Sequence, residues 1–307
     1  IGDQPFGWNL PNWLLRREIS ARLAGMENVR FQPGTGTAAV AARDEGALVT
    51  LTDGRRIRAR LMVGADGRGS GVAARAGIRR QGWDYGQTAL VTAIAHDRPH
   101  EGIAQQYFMA TGPLAILPLP GNRSSVVWSE THDNARAIAA LDDEAFLDVL
   151  RPRFGDYLGR ISLAGARFTY PLSLSLAERY AADRVALVGD AAHGVHPIAG
   201  QGLNLGLRDV AALAEVLVDA ARRGEDIGSE LVLERYQGWR RFDATALALG
   251  MDGVNRLFGS DNPLLSAARG IGMGLVTAVP ALRRGFMRQA AGLAVEPMPR
   301  LLTGQPL

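Results

Sequence analysis

The chain has 307 residues, 34 basic and 31 acidic side chains, a formal net charge of +3 and 47% hydrophobic residues. That length and apolar share suffice for one large or two modest globular domains with a real core. The absence of cysteine excludes disulfides, thiolate metal sites and cysteine nucleophiles, and the five histidines show no ligand spacing such as HExxH, so no metal site is expected.

Taken in order, Ile1–Leu10 reads as extended up to Pro11. Asn12 suits an N-cap, Trp13–Leu23 has helical spacing with interleaved arginines, and Gly25 stops it. Val29–Ala65 reads as a meander of short strands with a hairpin turn at Asp53-Gly54. Within it, Gly34-Thr35-Gly36-Thr37-Ala38-Ala39 fits the dinucleotide fingerprint G-x-G-x-x-A. Its context is wrong: Pro33 precedes it and no long helix follows before the Asp44–Gly46 turn. Leu61–Ala76 reads strand, turn, helix, with Asp66-Gly67 closing the strand, Ser70 capping the helix and Gly77 ending it.

From Arg80 to about Tyr180 the pattern changes. Thr88–Ala95, Ile103–Met109, Leu114–Leu119, Ser124–Glu130 and Phe168–Leu176 read as strands, with a short helix over Asp142–Leu150. This predicts a mostly antiparallel sheet inserted between two strand–turn–helix junctions. The second junction is Arg184–Asp209, RVALVGDAAHGVHPIAGQGLNLGLRD. Val185–Val188 is a buried-strand run, Gly189-Asp190 ends it, and a long helix begins near Gly202. Leu203, Leu207, Val210, Leu213 and Leu217 form the predicted apolar face of that helix. A Gly-rich loop between strand end and helix start suits an anionic or acceptor-rich ligand, because backbone N–H groups and the helix dipole converge there. On spacing alone, it is equally a capped junction of an ordinary α/β protein.

Beyond it, Ser229–Phe258, Asn262–Val279 and Pro280–Leu293 read as helices, with Gly270 and Gly274 spaced for close helix packing. No apolar run reaches the ~18 residues of a membrane span. Arg283, Arg284 and Arg288 among Leu282, Phe286 and Met287 fit either a docked helix with a solvated arginine face or one lying on an anionic membrane. The arginines overall are scattered, so no nucleic-acid surface is indicated. The opening Ile-Gly-Asp carries no Met and no signal-peptide pattern, which points to a piece of a longer protein.

Taken whole, GDAAH followed by HPIAGQGLNLGLRD resembles the flavin-dependent aromatic hydroxylases, and within them the ubiquinone-biosynthesis hydroxylases with their p-hydroxybenzoate hydroxylase-like fold. His196, Pro197, Ala199, Gly200, Gln201, Gly202, Asn204, Gly206 and Asp209 match that group's pattern, and GADGRGSGV resembles the family's second motif. The matched arginine of R-x-x-L-x-x-x-L is Arg16. GPLAILPLP and SVVW in the middle region look similar to the same group.

The resemblance implies an α/β (α+β mixed) fold with three parts. These are a discontinuous, Rossmann-like FAD/NAD(P)-binding domain (1–80 and 181–225), an inserted antiparallel substrate sheet (81–180) and a C-terminal helical region (226–307). The family opens with a strand, a G-x-G-x-x-G turn and a helix, which this sequence does not contain. The implied cofactor-binding residues are Arg16, Asp66, Gly67, Gly189, Asp190, Pro197, Gly200, Gln201, Gly202, Leu203 and Asn204. Asp66, being anionic, would orient water or backbone N–H groups rather than bind phosphate.

The implied activity is FAD-dependent hydroxylation of a polyprenylated phenol in ubiquinone biosynthesis, with NAD(P)H and O2 as co-substrates and a flavin C4a-hydroperoxide as the oxygenating species. Pro197 would shape the reacting edge. His193 and His196 have the chemistry for proton transfer, and equally for fixing the loop. Two alternatives stay open: a flavin hydroxylase of a smaller aromatic substrate, and a non-catalytic subunit of a ubiquinone-biosynthesis complex. The implied location is cytoplasmic, at most peripheral on the inner membrane, with biosynthetic partner proteins in reach.

Overall fold

The computed structural model describes residues 7–43, 46–259, 270, 274, 276, 278–290 and 297–307. The expected Asp44–Gly46 turn and most of the Asn262–Val279 helix, with the start of the Ile1–Leu10 segment, lie outside them.

In chain order the elements are α1 (Asn12–Ala24), β1 (Thr37–Arg43), β2 (Gly46–Leu51), β3 (Arg56–Ala59), β4 (Met62–Gly64), α2 (Gly71–Arg75), β5 (Arg80–His96), β6 (Gln105–Met109), β7 (Gly112–Leu119), β8 (Arg123–Thr131), α3 (His132–Ala139), α4 (Asp143–Phe154), β9 (Ile161–Leu163), β10 (Phe168–Ala177), β11 (Ala181–Ala182), β12 (Val185–Leu187), β13 (His193–Gly194), α5 (Gly202–Arg222), α6 (Glu230–Phe258) and α7 (Pro280–Ala290). This is the mixed α/β architecture that the sequence implies. The GxGxxA match at Gly34 leads into strand β1, not a helix, so no phosphate-binding turn forms there.

The chain folds as two compact units. One comprises residues 1–31, 84–172 and 253–291, the other 32–83, 173–252 and 292–307. This grouping takes 1–31 with the sheet and divides the C-terminal helices, unlike the three parts that the resemblance implies.

In the first unit β5, β8, β7 and β6 pair antiparallel in that order, and β9 adds to β5. Alternation buries Leu90, Ile94, Leu114, Ile116, Val126 and Trp128 on one face, against Phe146, Leu150 and Phe154 of α4. Asp142 caps α4 by accepting from the Ala145 N–H, and the acidic first turn suits the helix dipole. Trp128 is fully buried; its Nε1 donates to Glu130 Oε1 at 3.1 Å, and Arg153 stacks over its ring. Glu130, also buried, accepts from Asn134 as well. Helix α1 begins at Asn12 with Pro11 as its N-cap, so Asn12 is the first helical residue rather than the cap, and no residue of α1 is buried.

In the second unit β1, β2 and β3 form an antiparallel meander. A separate small sheet orders β11, β12 and β4, with β12 and β4 parallel. Ser70 caps α2 as expected, accepting from Ala73 N. Tyr236 of α6 donates its hydroxyl to the Leu187 carbonyl at 2.7 Å, fastening α6 to the end of β12.

The facing of α5 differs from expectation. Leu203, Leu207 and Val210 are exposed, while Leu205, Arg208, Asp209, Ala212, Leu213, Val216 and Ala220 are buried. The helix is turned so that Asp209 points inward, where it satisfies a backbone N–H and two charged or polar partners. A buried carboxylate with three hydrogen bonds sets the rotation that an apolar stripe alone does not.

Candidate active site

The two strand–turn–helix junctions meet. Parallel register pairs Gly64 with Leu187, and the Val188 N–H donates to the Gly64 carbonyl at 3.0 Å. Asp66 and Asp190, each a short step beyond its strand, therefore leave the carboxyl ends of neighbouring parallel strands, the place where open α/β sheets bind ligands. Gly189 takes φ +59° to make the turn, and its backbone packs against Gly206 of α5, so close that a Cβ on Gly206 would lie 3.3 Å from the Gly189 Cα.

The first junction is tied inward. Asp66 accepts from Ser70 Oγ at 2.5 Å and from the Val72 N–H at 3.0 Å. Partial burial opposes ionisation, but these hydrogen bonds outweigh it and hold the carboxyl below the usual carboxylate range. Asp66 thus organises the first turn of α2.

Arg68, which follows directly in the motif, ties the junctions together. It donates to the carbonyls of Ser173 at 2.8 Å and Val195 at 2.6 Å, and its Nε lies 3.2 Å from Asp190 Oδ2. Arg80 donates to the Asp190 carbonyl at 2.9 Å and to the Ala191 carbonyl. Neither arginine was singled out by sequence; the signal for Arg68 was its position immediately after Asp66-Gly67.

The loop from His193 to Gln201 is built mostly on buried side chains. His193 is fully buried, with Nε2 donating to Asp209 Oδ2 at 2.5 Å. His196 is buried and accepts the Ile198 N–H on Nδ1 at 3.2 Å. Burial first, then the Arg68 charge, push its pKa down to about 4, against the opposing pull of Asp252. Both histidines hold the loop. Pro197 is exposed and Gly200 takes the left-handed φ of +61° that lets the chain enter α5.

At the start of α5 no side chain caps the first turn among the described residues, and no acidic residue sits in it. Asn204 is exposed, with Nδ2 3.3 Å from Gln201 Oε1. Leu203 is exposed, and Gly202 is half-buried. A Cβ placed on Gly67, Gly69 or Gly200 would meet nothing within 4 Å, so the backbone there is open to close approach. Open glycine backbone, uncapped helix N–H groups and a half-exposed Asp190 fit an extended polar ligand with acceptor groups, as a flavin nucleotide has. Arg16 stands exposed on α1, in the other unit.

A family model described as "FAD binding domain" matches residues 9–248. Over 306 residues the chain is 46% identical to the ubiquinone hydroxylase UbiL of Rhodospirillum rubrum, covering 99% of this chain and 71% of that one. It is 35% identical over 277 residues to the human mitochondrial ubiquinone biosynthesis monooxygenase COQ6, covering 79% of this chain and 59% of the relative. Among solved structures, PqsL of Pseudomonas aeruginosa, a probable FAD-dependent monooxygenase, superposes with a TM-score of 0.67 at 28% identity over 80% of this chain and 70% of its own. The p-nitrophenol 4-monooxygenase PnpA of Pseudomonas putida shares the fold with a TM-score of 0.76 at 20% identity, over 94% and 74% of the two chains.

Proposed function

The chain belongs to the FAD-binding family of ubiquinone-biosynthesis hydroxylases, and from that premise we propose that the complete protein is a FAD-dependent monooxygenase hydroxylating the ring of a polyprenylated phenol, with NAD(P)H and O2 as co-substrates. The chain spans 59% of the human relative's length and 71% of the bacterial one's, so the activity is a statement about the whole protein.

The observation that carries the reading is the meeting of Asp66 and Asp190 at the carboxyl ends of two parallel strands, beside the uncapped start of α5. In this reading Asp190 accepts a ligand hydroxyl, and the open backbone at Gly67 and Gly200 admits close approach. The N–H groups of Gly202, Leu203 and Asn204 receive an acceptor edge that gains negative charge on reduction. Gly189 shapes the turn, and Pro197 and Gln201 shape the loop rim. Bound FAD supplies the redox chemistry that activates O2; the protein positions the ring and excludes water. In this reading His193 and His196, both buried, hold the loop through their hydrogen bonds to Asp209 and to the Ile198 N–H. Peripheral contact with the inner membrane and association with other biosynthetic proteins complete the proposal. No helix among the described residues is long and apolar enough to cross a membrane.

The test is visible absorption of the purified full-length protein, followed by anaerobic NAD(P)H addition with and without a prenylated phenol. A flavin spectrum that bleaches, and bleaches faster with the phenol, supports the reading. A colourless protein that does not take up added FAD overturns it in favour of a non-catalytic role.

A further inference from the structure

Asp209 and Arg240 form a fully buried ion pair beneath the Gly189 turn. Arg240 Nε donates to Asp209 Oδ1 at 2.9 Å, and its Nη1 to Asp243 Oδ2 at 2.7 Å. The other Asp209 oxygen accepts from the Gly189 N–H at 3.0 Å and from His193 Nε2 at 2.5 Å. One carboxylate thus holds both sides of Asp190 in the chain: the residue before it, and the histidine three after it. With the carboxylate oxygen accepting, the contact places a proton on His193 Nε2. Burial works against the Arg240 charge, and Asp209 and Asp243 outweigh it, raising its pKa above the ordinary value.

A buried ion pair is a poor device for stability alone, since its desolvation cost offsets much of its attraction. What it supplies here is geometry. Arg240 comes from α6 and Asp209 from the third turn of α5, so two helices fix one turn from below. Asp190 itself is left half-exposed, its backbone carbonyl held by Arg80 and its carboxylate beside Arg68.

We propose that Asp209, charge-balanced by Arg240, is a positioning residue that aims the Asp190 carboxylate at the cofactor by clamping Gly189 and His193. The proposal rests on the flavin-site reading of Asp190.

The test is a double-mutant cycle read as FAD affinity, by titrating the full-length apoprotein and following flavin fluorescence, with folding checked by thermal melts. Asp190→Ala alone is expected to weaken FAD binding about two- to tenfold, and Asp209→Asn alone by a similar factor. If Asp209 acts through Asp190, adding Asp190→Ala to Asp209→Asn costs less than about twofold more, because the side chain is already misaimed. Additive losses, or an unchanged affinity in a folded Asp209→Asn protein, overturn the clamp. An unchanged affinity in Asp190→Ala alone overturns the flavin reading beneath it instead. Should Asp209→Asn fail to fold, Arg240→Lys takes its place in the cycle. It keeps the charge but cannot bridge Asp209 and Asp243 as a planar fork does, and the same non-additivity is expected.

Discussion

The Arg68 guanidinium lies 3.2 Å from the Asp190 carboxylate, 122 residues later in the chain. This contact, with the two carbonyls that Arg68 also reaches, joins the Asp66 turn to the His193–Gly200 loop. Arg68→Lys keeps the charge and loses the fork that spans three acceptors. It is expected to lower stability by about 1–2 kcal/mol in total, roughly the worth of one charged hydrogen bond at a half-exposed site, because the lysine ammonium keeps part of the set. Urea denaturation followed by far-UV circular dichroism measures it. An unchanged midpoint would show that the three contacts contribute little.

His196 gives a pH dependence of defined sign. Its pKa is pushed down to about 4 in the folded chain, from an ordinary 6.5. The folded state therefore favours the neutral imidazole, and the unfolded chain binds the proton first. The resulting stability is present above pH 6.5 and is lost progressively as pH falls toward 4. The full loss is about 3 kcal/mol, and His196→Gln should flatten that part of the profile. Urea midpoints between pH 7 and 5, above most carboxylate titrations, separate the two proteins. Parallel profiles would remove His196 as the cause.

Gly82 sits where β5 passes β10, and a Cβ there would lie 2.0 Å from the Leu174 carbonyl oxygen and 2.9 Å from the Ser175 Cα. Both are backbone atoms and cannot swing aside. Gly82→Ala should cost about 1–3 kcal/mol or more. Gly69→Ala, with nothing within 4 Å of the added methyl, should fall within about 0.5 kcal/mol of the parent. A pair of thermal melts compares them, and equal melting temperatures would contradict the strand packing.

Trp128 is the largest fully buried side chain, and it packs on Phe146 with ring centroids 6.3 Å apart. Trp128→Ala should cost about 3–5 kcal/mol through lost burial and the cavity left behind. It should also remove a buried contribution from the tryptophan fluorescence. Trp8→Ala, at a residue 82% exposed, serves as the comparison and should leave the chemical midpoint unchanged.

Local signals carried far in this protein because they are short-range physics. The Ser70 cap, the Asp53-Gly54 turn and the alternating strands of the sheet each depend on a few neighbouring residues. Other elements went unread for the same reason in reverse. Strand β9 has three residues, too few for a period, and exists because it pairs with the end of β5. Helix α4 runs past the expected Leu150 to Phe154, carrying Pro152 in its last turn, because Phe154 is buried in the core. The candidate flavin-site residues were legible as motifs, while the groups that tie them together were not. Arg80 and Arg240 are, by sequence, two of many scattered arginines, and Arg68 stands inside the Asp66 motif with nothing local to show that it reaches the second junction.

The sequence by itself determined the mixed α/β class, the inserted sheet and the two junctions at Asp66 and Asp190, since periodicity and turn chemistry are written in adjacent residues. Only the tertiary structure decided which way α5 faces. Its apolar stripe at Leu203, Leu207 and Val210 competed with Asp209 for the interior, and Asp209 took it. A carboxylate buried with Arg240, His193 and the Gly189 N–H is stable only when all three partners arrive together, and they come from separate stretches of the chain.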